Sequence, residues 1–171
     1  MTEPVEMPDP GAAVVALLKR RGLTVAVAES LTGGLLVAEL IRTPGASAVV
    51  NGGVVAYNTA LKASVLGVDA ELLAAEGAVD PEVAEQMAAG VRSALAVGGR
   101  PADIGISTTG VAGPEPQDGK PVGTVYLGFA IGSQLTHVAL ELSGTRDGIR
   151  NAVVSESLTE LARRLTTLPG E

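Results

Sequence analysis

Residues 25–36 read VAVAESLTGGLL. A run of small β-formers ends at Glu29-Ser30, and the Gly33-Gly34 pair opens an apolar run with helical character. A strand followed at once by a helix is the building unit of α/β domains. Two readings fit the polar residues at this junction. In one, Ser30 or Thr32 is the N-cap of the following helix. In the other, the junction is a binding site, since ligands of α/β sheets lie beyond the strand ends. There a helix N-terminus offers unpaired N–H groups and positive dipole. Thr32, Gly33 and Gly34 would then line the substrate, with the glycines leaving room for it. The junction carries neither a GK[ST] phosphate loop nor a GxGxxG fingerprint.

The flanking segments extend the alternation of strand and helix. GAAVVALLKRRGL, from Gly11, predicts an amphipathic helix through Val14, Leu17 and Leu18, closing near Gly22. LTGGLLVAELIRTPG predicts a helix stopped by Pro44-Gly45, and SAVVNGGVVAY a strand with a bulge or close approach at Gly52-Gly53. Two short helices follow. A longer one then starts at DPEVAEQM, where Asp80 caps, Pro81 takes the first helical position, and Val83, Met87 and Val91 form the inner stripe. ADIGISTTG, GTVYLGFAI and LTHVALEL read as strands, and a helix from about Thr145 to Thr166 ends the pattern. This order predicts a single-domain α/β fold, a three-layer α/β/α sandwich around a mixed sheet, over residues 11–168. Residues 1–10, with three prolines, predict a flexible arm.

Composition narrows the chemistry. Of 171 residues 46% are hydrophobic, yet there is no Trp, one Phe and two Tyr, so Ala, Val, Leu and Gly must fill the core. A net charge of −7 lacks the basic footprint of nucleic-acid binding. Absence of cysteine removes thiolate nucleophiles and Cys-based zinc sites, and a single histidine removes His-rich metal clusters; no metal and no cofactor is expected. The start lacks a signal-peptide pattern, and no apolar stretch of transmembrane length runs free of charge or glycine. The expected setting is cytoplasmic, without a membrane partner. The small-residue, low-aromatic surface permits a homo-oligomer.

A serine nucleophile needs a base. Strand alternation puts His137 on the more polar face of LTHVALEL, as a half-exposed strand residue rather than a triad member. The three lysines are Lys19, Lys62 and Lys120. Lys62 follows Tyr57 closely, and a lysine partly buried among apolar neighbours loses pKa and serves as a neutral base. The structural alternative makes Lys62 a solvent-facing helix residue and Tyr57 a strand-end anchor. At another strand end stand Thr109 and Gly110, before a long Gly- and Pro-rich connection that either wraps a ligand or merely joins two strands. Arg146 opens the last helix, where the dipole disfavours a cation; it suits a phosphate, or a salt bridge to Asp147 or Glu141.

Four segments together, AESLTGG (28–34), GGVVAYNTALKASVLGV (52–68), GAVDPEVAEQMAAGVR (77–92) and TGVAGP…GKPVGTVYLGFA (109–130), resemble the CinA C-terminal domain family in order and spacing. That family includes stand-alone nicotinamide-nucleotide amidohydrolases. The resemblance covers roughly residues 11–165. It implies a three-layer α/β/α fold and hydrolysis of the carboxamide of nicotinamide mononucleotide to nicotinate mononucleotide and ammonia, in pyridine nucleotide salvage. By the same resemblance Ser30 is the nucleophile, Lys62 its base, Tyr57 an aid to proton transfer, and Thr109 a substrate contact. Arg146 meets the phosphate, with Arg150 as competitor. Two other readings of the resemblance are a non-catalytic nucleotide-binding module of the competence/damage-inducible type and a serine amidase for another small amide. The chain departs from the family in two places. Leu31 stands where cysteine is common, and EPQDGK replaces a glycine-rich loop, setting Glu115 and Asp118 near a phosphate-bearing substrate.

Overall fold

The computed structural model describes residues 9–169. In chain order they form α1 (Pro10–Arg21), β1 (Val25–Glu29), α2 (Leu35–Ile41), a 3-10 turn (Ala46–Ala48) and β2 (Val50–Val55). Then come α3 (Thr59–Ser64), α4 (Ala70–Glu76), α5 (Pro81–Ala94), β3 (Ile104–Gly110), β4 (Thr124–Ile131), β5 (Gln134–Glu141) and α6 (Arg146–Thr167). The sheet order is β2-β1-β3-β4-β5. β1 is parallel to β2 and β3, whereas β4 is antiparallel to both β3 and β5, so the sheet is mixed. Among the described residues no helix is long and apolar enough to cross a membrane.

The VAVA alternation of β1 decides how each face is covered. Val25 and Val27 join Ile104, Ile106, Leu127 and Phe129 in a core closed by Val14 and Leu18 of α1, Leu36 and Leu40 of α2, and Leu161 of α6. Ala26 and Ala28 point the other way, against Val83, Met87 and Val91 of α5. Small residues on that face let α5 lie very close: a Cβ added at Gly105 would meet the Ala88 carbonyl oxygen, and one at Gly128 the Ala84 carbonyl oxygen. A core almost without aromatics is closed by this backbone-to-backbone approach.

The start of α5 follows the sequence: Asp80 accepts from the Glu82 and Val83 N–H groups, and Pro81 opens the helix. The predicted arm ends earlier than residue 10, because Asp9 accepts from the Gly11 N–H and Pro10 is the first residue of α1. The rest of that arm, residues 1–8, lies outside the described residues. α2 starts at Leu35 rather than Leu31, since Gly33 (φ 58°) and Gly34 (φ 100°) hold a left-handed turn that no helix continues.

Gly128→Ala is expected to cost about 1–3 kcal/mol in urea denaturation, as a Cβ forced onto a backbone oxygen can be relieved only by moving α5. Unchanged stability would mean that α5 rides loosely on the sheet.

Candidate active site

β1 and β3 run parallel side by side, so their carboxyl ends reach the same sheet edge. Among the described residues, seven of the eight buried polar or charged ones gather there: Glu29, Ser30, Thr32, Lys62, Ser107, Thr108 and Thr109. Buried polar groups require partners, and the partners define the site. The Ser30 N–H donates to the Thr108 carbonyl at 3.0 Å, carrying the parallel pairing one residue past the strand. The Thr32 and Thr108 hydroxyls are 2.8 Å apart. Ser107 Oγ donates to the Ala84 carbonyl and Thr109 Oγ1 to the Ala78 carbonyl, both at 2.6 Å.

Glu29 caps α2. Its carboxylate accepts from the Leu36 N–H at 2.8 Å and the Val37 N–H at 3.1 Å, placing a negative group at the positive helix end. Neither Ser30 nor Thr32 caps this helix, and the cap position belongs to Gly34, which has no side chain. The signal for this cap in the sequence is a glutamate at the end of an otherwise apolar strand.

Lys62 lies on α3, whose N-terminus is capped by Asn58. Its side chain is fully buried. Nζ donates to the Ala56 carbonyl at 2.7 Å and sits 3.1 Å from Ser30 Oγ. Loss of hydration lowers the amine's pKa to about 8. Among the described residues no carboxylate lies within salt-bridge distance to reverse that shift.

Ser30 and Lys62 form the floor of a cleft of about 200 Å³ whose walls include Tyr57, Thr109, Gly110, Gly113, Glu115 and Arg146. Arg146 donates to the Gly113 carbonyl and, at 3.2 Å, to the Tyr57 hydroxyl. Tyr57 is 61% exposed at the mouth, so the structure joins it to Arg146 rather than to the Ser30–Lys62 pair. Thr109 and Gly110 face the cleft, though the Thr109 hydroxyl proton is already given to Ala78. Thr32, Gly33 and Gly34 fall outside the cleft lining, and the Gly33 N–H donates to the Ser30 carbonyl. The two glycines hold the left-handed turn. Arg150 is also outside the lining; it donates to the Leu31 carbonyl at 2.9 Å and pairs with Asp147. His137 is a half-exposed strand residue paired with Glu85, remote from the cleft lining. No cluster of His, Cys, Asp and Glu able to hold a metal occurs among the described residues.

A family model described as the CinA C-terminal domain matches residues 9–165. A CinA-like protein of Frankia casuarinae is 51% identical over 156 residues, 91% of this chain and 35% of that protein. The chain spans about a third of the length of the curated relatives it matches. A solved CinA superfamily protein of Klebsiella pneumoniae 700603 superimposes with a TM-score of 0.87 at 31% identity, over 93% of this chain and 97% of that one. The competence damage-inducible protein A of Klebsiella pneumoniae MGH 78578 does so with a TM-score of 0.87 at 34% identity, over 94% and 97%. The chain belongs to the CinA C-terminal domain family.

The buried amine has a consequence for stability. Between about pH 8 and the ordinary lysine value of 10.5 the unfolded chain binds one proton more than the folded chain. Stability therefore rises with pH across that window, by about 3 kcal/mol in total, and the penalty is fully present below it. Denaturation of wild type and Lys62→Met across the window is expected to show wild type gaining on the variant. A constant difference would mean that the amine is hydrated in the fold.

Proposed function

We propose that this member of the CinA C-terminal domain family hydrolyses the carboxamide of nicotinamide mononucleotide, releasing nicotinate mononucleotide and ammonia through a Ser30–Lys62 pair. The observation that carries this reading is the 3.1 Å approach of Ser30 Oγ to a buried lysine amine with a lowered pKa. A lysine near pKa 8 is about one-tenth neutral at pH 7, enough to act as a general base. An ordinary solvated lysine would be almost wholly ammonium.

Neutral Lys62 takes the Ser30 hydroxyl proton as Oγ bonds to the carboxamide carbon. The oxyanion is held at the residue that follows the nucleophile, by the N–H of Leu31, which lines the cleft and carries no backbone hydrogen bond among the described residues. The Gly33 N–H is occupied by the turn and takes no part. The Lys62 ammonium returns its proton to the leaving nitrogen, the C–N bond breaks, and ammonia departs. Water then adds to the acyl-serine while Lys62 accepts a water proton and passes it to Ser30 Oγ, which leaves as the hydroxyl. Arg146 meets the phosphate, with Tyr57 beside it as a partner in orientation.

Ser30→Ala is expected to reduce ammonia release from nicotinamide mononucleotide by about 10³-fold or more. Retention of near-wild-type release would remove Ser30 as nucleophile. Nucleotide binding by the wild type without ammonia would identify a non-catalytic module instead. Since the base must be unprotonated, kcat/KM should climb about tenfold per pH unit below 8 and level off above it. The same limb in Lys62→Met would sink Lys62 as the base.

A further inference from the structure

Glu115 and Asp118 share one loop, and the structure gives them different tasks. Asp118 Oδ2 accepts from the Ala78 N–H at 3.4 Å, next to the carbonyl that receives Thr109 Oγ1. Asp118 (φ 52°) and Gly119 (φ 72°) form the tip of a tight hairpin closed by Gln117 and Lys120. At the other end Arg146 donates to the Gly113 carbonyl. The loop is tied down on both sides of Glu115, and Glu115 lies in the cleft wall with Arg146. Asp118 is spent on anchoring, whereas Glu115 makes no salt bridge among the described residues.

A carboxylate beside the residue that would meet a phosphate repels that phosphate. It costs affinity unless it takes another part of the ligand. An ionised carboxylate is an acceptor only, with two oxygens that match a pair of hydroxyl donors. Carboxylates hold ribose hydroxyls in this way in dinucleotide-binding folds. Guanidinium and carboxylate on one small cleft together suit a ligand that carries an anion and a vicinal diol within one molecule.

We propose that Glu115 is a specificity residue that accepts from the ribose 2′- and 3′-hydroxyls of the substrate while Arg146 holds its phosphate; this rests on the mononucleotide reading above. The nucleotide is then distinguished from the free carboxamide base at two points, and from a sugarless phosphorylated amide at one.

The test is titration calorimetry of nicotinamide mononucleotide and its 2′,3′-dideoxyribose analogue into Ser30→Ala and Ser30→Ala/Glu115→Ala, neither of which turns over. Loss of Glu115 is expected to weaken the ribonucleotide about tenfold, the scale of a hydrogen bond to a charged group, and the dideoxy analogue less than twofold. Tighter or unchanged ribonucleotide binding overturns the proposal and leaves Glu115 a source of phosphate repulsion. An equal loss for both ligands also overturns it, and points to pairing with the cationic pyridinium ring. Absence of binding by either overturns it as well. Ammonia release by the wild type is read separately. Binding that depends on Glu115 without turnover defeats the hydrolase reading alone, and turnover with binding indifferent to Glu115 defeats this proposal alone.

Discussion

A lysine amine held out of water, with a serine hydroxyl and a carbonyl oxygen as neighbours, is the constraint around which this end of the molecule is arranged. Burial penalises the ammonium form, and a domain of this size holds only about 5–15 kcal/mol in reserve. The frame has to make the position worth occupying. α3 is six residues long, too short to persist alone, and is held by the Asn58 cap and by Lys62 itself. The Ala56 carbonyl that receives Lys62 belongs to the residue just past β2, and the Ala56 N–H donates to the Glu29 carbonyl at 2.9 Å. The acceptor for the Lys62 amine and the strand that leads to Ser30 are therefore parts of one hydrogen-bonded sheet. A carboxylate in place of that carbonyl would fix the amine as ammonium and remove its use as a base.

The Ser30 turn is held from three directions by groups that do not face the cleft. Glu29 spans the turn and fastens the start of α2, Thr32 ties its middle to Thr108 on β3, and Arg150 takes the Leu31 carbonyl from α6. Each tie satisfies a polar group that burial would otherwise leave costly. Positive φ at Gly33 and Gly34 reverses the chain tightly enough for the Glu29 carboxylate to reach the N–H groups of residues seven and eight positions later. Capping by a strand-end glutamate leaves Ser30 Oγ uncommitted to the helix and available to Lys62.

What the sequence made legible was local. Periodicity and caps in segments such as DPEVAEQM and GAAVVALLKRRGL report the element itself, and these helices and the five strands stand where the pattern puts them. The alternation of LTHVALEL likewise placed His137 on an exposed face. The site was only partly legible because its partners meet across the chain: Ser30 and Lys62 are 32 positions apart, Thr32 and Thr108 are 76, Tyr57 and Arg146 are 89. Spacing alone left Lys62 open between a solvated helix residue and a base, and only the resemblance of four ordered segments pointed to the second. A polar-glycine turn at a strand end such as Thr32-Gly33-Gly34 has the same sequence whether it contacts a ligand or only reverses the chain. The acceptor role of Glu29 depends on left-handed glycines that composition does not reveal.

Arg146 and Arg150 explain why two cations open a helix whose dipole disfavours them. Four residues apart, they share one face of the first turns of α6, and Thr145 fixes that start by accepting from the Gly148 N–H. Arg150 reaches the Leu31 carbonyl, just after Ser30, and Arg146 reaches the carbonyl of Gly113 on the opposite wall. Charge-assisted bonds to backbone oxygens offset the unfavourable dipole. The two sides of the cleft come from β1 and from the connection after β3, and the chain between them is long. One helix face sets their separation, so the width of the cleft is governed by a rigid element that contributes only Arg146 to its lining.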